Sequence, residues 1–367
     1  MPNLDTLLSF PTNGAGPSTP AERTPIPPRS SHILVTDTTD SPALFVLTHF
    51  LRASHTINRA HRSSTLDRKG KSRAHTKVIW LGCNSDGIVH LKNVARKSAV
   101  HLDEETRHGA FCYIDANAEI IRLEDGGEDG IADSMVAMRI QNGPSRAEQS
   151  LHRLYDKVAE ELANAGASDS AEANSADWTS RNLIVVDDLT ALAWALAPTD
   201  SYGQPVDVAR QLKDWLGALT SFAAKNEASI VTLMHADATS CSKTGASDPV
   251  DESLLTSLLE KADVWVEVKE LASGRARDCD GEITVHPLVR PSLARALPAS
   301  TRNQHSTLKD IPPLQAFAIE TPCPNRSKAV LYRIAPDGQS AALGGASVGS
   351  NTGRVQVWAR GTGRGFL

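Results

Sequence analysis

One stretch of the chain, residues 181–196 with the sequence RNLIVVDDLTALAWAL, places the strongest constraint on the fold. Four consecutive apolar residues, 183–186, run directly into Asp187 and Asp188. A short continuous apolar run is typical of a strand that is covered on both faces of a parallel sheet. The aspartates would then lie at the carboxyl end of that strand, where open α/β sheets bind ligands and nucleotide-hydrolysing folds hold Mg²⁺. The stretch predicts a central strand and, at most, half of a nucleotide site.

Apolar runs and amphipathic segments alternate along most of the chain. The amphipathic segments repeat apolar residues at helical spacing, whereas the apolar runs between them have the length of strands. Strands that alternate with helices predict a largely parallel sheet flanked by helices, which is an α/β fold. Shorter strands in the C-terminal part extend one edge of this sheet. The predicted strands are residues 33–35, 77–82, 111–115, 183–186, 229–235 and 264–269, and the shorter ones are 283–286, 329–334 and 355–358.

Composition divides the chain into a leader and one folded domain. Six prolines stand among Ser, Thr and Gly in residues 11–29, and such a segment buries too little apolar surface to order itself. We therefore expect a disordered, proline-rich leader at residues 1–30 and a single domain at residues 31–367. Within the domain, charge runs predict a basic surface insertion at about residues 55–76 and an acidic, polar segment at about residues 101–135.

Charge and motif spacing exclude several classes of protein. The net charge of −5 argues against a protein that binds nucleic acid through its overall charge, although a local basic patch could still do so. The five cysteines have no CxxC spacing, and no HExxH or GxSxG pattern occurs. No apolar run approaches the ~18 residues that cross a bilayer. His235 and Asp237 form a polar pair at the end of a predicted strand, but no third ligand is indicated nearby. We expect no catalytic residue, no metal, no cofactor and no membrane association.

The loop after the first strand, residues 36–43, is where a phosphate-binding loop would lie. Such a loop needs glycine amides that wrap the phosphates and a lysine that reaches the terminal ones. This loop has neither residue type, and its Asp37 and Asp40 would repel a triphosphate. The sequence Gly-Lys-Ser at 70–72 precedes a strand instead of following one, so it is not a phosphate loop. We predict a degenerate nucleotide site in which Asp187 and Asp188 are noncatalytic, Walker B-like remnants.

The order of these segments resembles the family of the sixth subunit of the Elongator complex. The similarity covers residues 31–125 and 182–269, and it is carried by the runs FVLTHFLRA, VIWLG, KSAVHL, FCYID, LIVVDDL and SIVTLMHAD. The resemblance implies a RecA-like fold of the P-loop-NTPase type that has no working Walker A loop. It also implies a noncatalytic subunit that assembles with subunits four and five into a heterohexameric ring. The ring binds tRNA and supports modification of the wobble uridine (U34), in the cytoplasm with the nucleus as a second location.

The ring geometry directs attention to two loops at the carboxyl edge of the sheet, residues 198–205 and 236–251, because they would point towards the channel. The first contains no Lys or Arg, whereas the second offers Lys243 together with Ser242 and Thr244, which can contact phosphates. The basic insertion provides competing RNA-contact candidates. These are Lys69, Lys71 and Arg73.

Two further points stay open from the sequence. An active ATPase of the recombinase or circadian-kinase type is the alternative function, and only the strand that ends in Asp187 and Asp188 supports it. A dinucleotide-binding enzyme has weaker support, since no GxGxxG follows a predicted strand. For the subunit interface, Trp194 and Trp358 are candidates, although burial in the core of the chain itself is the default for either tryptophan.

Overall fold

A computed structural model supplies the fold. The helices and strands below belong to the part of the chain that the structure describes, which is residues 4–11, 23–65, 76–84, 86–125, 145–166, 181–196, 207–239, 241, 247–271, 273, 276, 279–288, 329–334 and 355–359.

A nine-stranded sheet forms the centre of the molecule. Its strands are β3 (His32–Asp37), β4 (Thr76–Gly82), β5 (Phe111–Asp115), β6 (Arg181–Asp187), β7 (Ser229–His235), β8 (Val264–Lys269), β9 (Gly281–Pro287), β10 (Val330–Ile334) and β11 (Val355–Ala359). They lie in the order β11-β10-β9-β8-β3-β7-β6-β4-β5. The six strands from β8 to β5 are mutually parallel, and β9, β10 and β11 add to one edge in antiparallel pairing. The predicted α/β class, with short strands extending one edge, is confirmed.

Helices cover both faces of the sheet. Within β6, Leu183 and Val185 pack into the core on one face while Ile184 and Val186 pack into the core on the other, which explains the continuous apolar run. The first face is covered by α1 (Leu4–Leu7), α2 (Leu44–Thr65), α3 (Gly87–Lys97) and α4 (Leu102–Arg107). The second is covered by α5 (Ala116–Asp125), α6 (Arg146–Gly166), α7 (Leu189–Leu196), α8 (Val208–Lys225) and α9 (Pro249–Lys261).

Several helices begin at capping residues that local sequence signals indicate. The Ser145 hydroxyl oxygen accepts the Glu148 main-chain N–H at 3.1 Å, as the capping box at the start of α6 predicts. Asp207 caps α8 by accepting the Arg210 main-chain N–H at 2.9 Å, and Asp248 caps α9 in the same manner. These caps satisfy N–H groups that have no partner inside the helix.

The structure corrects the prediction that the leader, residues 1–30, is disordered. Part of it is folded, because α1 and the two-stranded ribbon of β1 (Phe10–Pro11) and β2 (Arg23–Thr24) precede the sheet. Leu4, Leu8 and Phe10 are buried in the same core as α2, and Ile26 is buried as well. The predicted disorder is therefore wrong for residues 4–11 and 23–30, since Leu4, Leu8 and Phe10 pack into the core that contains α2 and β2 pairs with β1. The other residues of the leader lie outside the described part of the chain.

The charged segments also differ from their predicted bounds. Helix α2 extends to Thr65, so the first part of the predicted basic insertion is helical, and residues 66–75 lie outside the described part. The predicted acidic segment contains α4, β5 and α5, and residues 126–144 lie outside the described part. Among the described residues, no helix is both long and apolar enough to span a membrane.

The parallel strands define two edges of the sheet. Their last residues meet at what we call the carboxyl edge, and their first residues meet at the amino edge. Helices α6 and α8 run against the strands, since Lys77 at the start of β4 donates to the main-chain oxygen of Glu161 near the end of α6 at 2.8 Å. Both helices therefore begin at the carboxyl edge, where Gln211 of α8 donates to the hydroxyl of Ser145 at 2.8 Å.

Candidate functional site at the carboxyl edge

Three neighbouring strands bring a histidine between two aspartates at the carboxyl edge. Asp37 is the last residue of β3, His235 is the last residue of β7, and Asp188 directly follows β6. The His235 ring pairs through Nδ1 with Asp37 Oδ1 at 2.5 Å and through Nε2 with Asp188 Oδ2 at 3.1 Å. We call this arrangement the Asp37–His235–Asp188 triad.

Local main-chain contacts hold each member of the triad in position. The Asp37 Oδ2 atom accepts the Ala43 main-chain N–H at 2.7 Å. Asp188 accepts the Ala191 main-chain N–H at 2.9 Å and so caps α7, and its φ of 71° is a left-handed conformation that Asp tolerates better than most residues. The triad is therefore built into the junctions between strands and helices.

The triad has a defined charge. Hydrogen bonds to Asp188 and Asp37 raise the pKa of His235 to about 11, because both carboxylates stabilise the imidazolium although burial opposes it. Burial raises the pKa of Asp37, whose side chain is 1% exposed, and the bond to His235 counteracts that rise. Two carboxylates and one imidazolium leave one net negative charge at this point of the sheet.

Asp187 is the neighbour of Asp188 in sequence, but it has different hydrogen-bond partners. Its Oδ2 atom accepts the indole N–H of Trp80 at 3.1 Å and the amide N–H of Asn84 at 3.4 Å. Burial, followed by the charges of Asp188 and Asp37, raises the pKa of Asp187 to about 7. The Asp187 carboxyl group is therefore held by hydrogen bonds from β4, through Trp80, and from the residues that follow β4, through Asn84.

The loop that follows β3, residues 38–43, is closed by hydrogen bonds to oxygens of the protein. The Thr39 main-chain N–H and hydroxyl both donate to Asp237 Oδ2, at 2.9 and 3.0 Å. The Ser41 N–H donates to the Thr38 carbonyl oxygen at 2.9 Å, and Pro42 has no N–H. Together with the Ala43 N–H on Asp37, these amides are directed at protein oxygens, whereas a phosphate cradle requires amides that point at the ligand.

The geometry is also unfavourable for a metal ion. Both ring nitrogens of His235 are engaged by carboxylates, and a histidine needs one nitrogen lone pair for a metal. Within the described ranges, no group of three or more His, Cys, Asp or Glu side chains is arranged to hold a metal ion.

The other candidates from the sequence have different positions. The RNA-contact candidates all lie outside the described residues, and they stay predictions: Lys243, Ser242, Thr244, Lys69, Lys71 and Arg73. Trp194 on α7 is 73% exposed, which departs from the default of burial. Trp358 on β11 is partly buried.

The triad is the feature that sequence reasoning missed. Its members are separated by 198 and 47 residues, so no local motif connects them. A usable signal existed, because polar residues at the ends of three predicted parallel strands must meet at one edge of the sheet. His235 was instead paired with its neighbour Asp237, whose carboxylate bonds to Thr39.

The fold indicates the class of protein. An α/β sheet of this kind, flanked by helices on both faces, is consistent with a RecA-like domain. The family model ELP6, Elongation complex protein 6, matches residues 71–305. The chain therefore belongs to the Elongation complex protein 6 family, which confirms the resemblance found in the sequence, and it is accordingly a subunit of the Elongator complex. A comparison with curated proteins gave no match.

Proposed function

We propose that this chain is a noncatalytic RecA-like subunit of the Elongator complex. It assembles with subunits four and five into a heterohexameric ring that binds tRNA and supports modification of the wobble uridine, U34. The proposed site of action is the cytoplasm, with the nucleus as a second location. Family membership supports the place in the complex, and the geometry of the carboxyl edge supports the noncatalytic role.

The observation that carries the noncatalytic role is the closed loop at residues 38–43. A triphosphate at the end of β3 would need free amides, yet the amides of Thr39, Ser41 and Ala43 already donate to protein oxygens. The adjacent triad adds a net negative charge, which repels phosphate. Opening the loop would cost several hydrogen bonds, each worth about 0.5–1.5 kcal/mol net, and would still provide no lysine.

The observation that supports a role in assembly is an exposed tryptophan. Trp194 is 73% exposed on α7, while Leu192 and Ala193 beside it are buried. A large aromatic ring in solvent is typical of the centre of a protein interface. We place the contact with subunit four or five on this side of α7.

The experiment that tests the function combines assembly with nucleotide binding. The full chain is co-expressed with subunits four and five, and the mass of the purified assembly is measured under native conditions. We expect a mass that corresponds to six subunits, and a Trp194→Ala variant that assembles with a several-fold weaker affinity because an aromatic anchor is lost. Val89→Ala is the matched control, since Val89 is 68% exposed but lies on α3.

Equilibrium binding of labelled ATP to the isolated chain separates the proposal from the alternative of an active ATPase. We expect no saturable binding at millimolar ATP. Saturable binding would favour the ATPase. A chain that stays monomeric and stable in the presence of subunits four and five would contradict the proposed assembly.

A further inference from the structure

The amino edge of the sheet differs in charge from the edge that carries the triad. Helix α3 ends there with Lys97, and the short helix α4 follows after four residues, packs against α3, and contacts α2 through Glu105. An open depression of about 380 Å³ lies between α3 and α4, and Val100 and Leu102 contribute apolar atoms to its lining. Its remaining lining residues are charged or histidine.

Three cations in this depression surround one carboxylate. Lys92 donates to Asp103 at 2.7 Å. This bond is the main reason that the pKa of Asp103 is lowered, and the charges of Arg107 and Arg96 lower it further. Lys92 and Arg96 lie one turn apart on α3, about 6 Å along the helix axis, and Arg107 faces them from the last turn of α4.

Two acids at this edge are paired with lysine or arginine, whereas a third, Glu104, lines the depression with its side chain 46% exposed and 3.9 Å from His108. Asp103 bonds to Lys92, and Glu105 is buried against α2, where it accepts from Arg62 at 2.6 Å. Arg96 and Arg107 are exposed, and they act on Asp103 through space as solvent-accessible guanidinium groups. The exposed Lys97 adds a further positive charge at the end of α3.

The composition of this surface favours a polyanion over a protein partner. The exposed large apolar side chains of the described residues are Val89, Trp194 and Ile334. Val89 lies in the first turn of α3, at the opposite end of the helix from Arg96. The core of a protein interface needs apolar side chains, whereas phosphate groups are contacted by arginine and lysine.

The flanks of the basic insertion lie at the same edge. Asn58 of α2 and Thr76 of β4 exchange two hydrogen bonds, each of 2.8 Å, between the Asn58 side-chain amide and the Thr76 main chain. The residues between them in sequence include Arg68, Lys69, Lys71 and Arg73. Those residues lie outside the described part of the chain, and the surface described here stands on residues of α3 and α4 alone.

We propose that Lys92, Arg96, Lys97 and Arg107 form an RNA phosphate-binding surface, which we call the α3–α4 basic surface. It rests on the proposed function, because it identifies where this subunit contacts the tRNA that the ring binds. The recognition is of the phosphodiester backbone and is independent of base sequence. It lies at the amino edge of the sheet, opposite to the carboxyl edge at which β7 ends.

The test measures RNA binding as a function of salt. The full chain, in complex with its Elongator partner subunits, is titrated with a fluorescently labelled, unmodified tRNA transcript between about 50 and 200 mM salt. For Arg96→Glu with Arg107→Glu, we expect affinity at the lowest salt to fall by roughly tenfold. The slope of log K against log salt should decrease in magnitude by about 1.5, because two phosphate contacts are lost.

The matched control is Arg146→Glu with Arg210→Glu. Both arginines are exposed, and they lie in the first turns of α6 and α8 at the carboxyl edge. The control changes the net charge by the same amount, and we expect its salt slope to equal that of the wild type. Arg96→Lys with Arg107→Lys keeps both charges and should retain the wild-type slope, which separates loss of charge from loss of folding.

Four other outcomes would each contradict the proposal. If the wild-type complex binds tRNA and the Arg96→Glu, Arg107→Glu variant keeps its affinity and slope, the surface is wrong and the proposed function stands. If both double variants weaken binding equally, only net charge matters. If the wild-type complex binds no tRNA, the RNA-binding part of the proposed function fails as well. If polyglutamate displaces tRNA as well as polyuridylate of equal charge does, the surface takes an acidic peptide instead.

Discussion

At the carboxyl edge a histidine lies between two aspartates, whereas at the amino edge a glutamate lies between a histidine and an arginine. His235 joins Asp37 and Asp188. Glu105 pairs with His55 at 2.8 Å and with Arg62 at 2.6 Å. In each cluster one central side chain pairs with two side chains of the opposite type. The two outer side chains are acidic at the carboxyl edge and basic at the amino edge.

This difference shows how the two edges of one sheet acquire opposite charge. The carboxyl ends of the strands and their loops carry an acidic set, whereas exposed arginine and lysine side chains surround α4 at the amino edge. Fixed charges attract or repel phosphate before any contact is made. A phosphate-bearing partner is therefore repelled at the edge where RecA-like folds bind nucleotides and attracted at the opposite one. The acidic set is Asp37, Asp115, Asp187, Asp188, Asp237 and Asp251.

The largest expected effect comes from removing the histidine of the triad. His235→Ala leaves the buried Asp37 without its cation, and we expect a loss of about 3 kcal/mol in the free energy of unfolding at pH 6. That figure is at the low end for a buried pair because the His235 side chain is 37% exposed. The measurement is urea unfolding, and His90→Ala, an exposed histidine on α3, is the control that should change stability by less than about 0.5 kcal/mol.

The same variant has a defined pH dependence. The pKa of His235 is raised from 6.5 to about 11 on folding. The stabilisation from its proton is therefore complete below pH 6.5 and is lost as the pH rises towards 11. The difference between wild type and His235→Ala should shrink between pH 6 and pH 10. A difference that is constant with pH would show that the triad contributes no proton-linked stability.

A smaller effect of opposite sign is expected at Asp187. Its folded pKa of about 7 lies above the ordinary value of 3.8, so its stability penalty is absent below pH 3.8, grows as the pH rises from there, and is complete above pH 7. Asp187→Asn removes the buried charge and keeps an oxygen that can accept from Trp80. We expect the variant to be more stable by about 2 kcal/mol at pH 8 and nearly unchanged at pH 4.

Thermal and urea unfolding at the two pH values check the effect at Asp187, with Asp86→Asn as the control at an exposed site. Activity of the assembled complex in tRNA modification should be unchanged in the Asp187→Asn variant, because the proposal gives that carboxylate no catalytic role. Asp188 is left in place since it bonds to His235 and caps α7. Loss of activity in a normally folded variant would contradict the noncatalytic reading of this strand end.

The smallest of these effects is expected at the amino edge. Glu105→Gln removes the carboxylate that Arg62 and His55 share, and we expect a loss of about 1.5 kcal/mol at pH 7. Hydrogen bonds to His55 and Arg62 lower the pKa of Glu105 from 4.5, against the effect of burial. The contribution is therefore present above pH 4.5 and is lost as the pH falls through the lowered value.

Glu104→Gln is the matched control for Glu105, because Glu104 is the preceding residue and its side chain is 46% exposed. We expect the control to change stability by less than about 0.5 kcal/mol. Equal losses at pH 7 and pH 3.5 in Glu105→Gln would contradict an ionic role for Glu105. In that case the Glu105 cluster at the amino edge would not be an ionic cluster comparable to the triad at the carboxyl edge.

Much of the fold could be predicted from the sequence because its signals are local. The apolar run in β6 and the alternation of strands with helices indicate a parallel sheet, and Ser145 and Glu148 mark the start of α6. The structure of the leader could not be predicted in this way, because its high proline content indicates disorder and only a few of its residues are apolar and pack into the core with α2. Leu8 and Phe10 are buried in the core that contains residues of α2, and this packing depends on the tertiary structure.

Sequence by itself determined the class of fold, the loop without glycine or lysine after β3, and the resemblance to the Elongator family. These features depend on residue type and short spacing, which a linear pattern preserves. The tertiary structure decided where charges meet. His235 reaches Asp37 and Asp188, and Glu105 reaches Arg62, only because strand order and helix packing bring distant segments within hydrogen-bond range. Side-chain pairing acts over about 3 Å, and no spacing along the chain encodes that proximity.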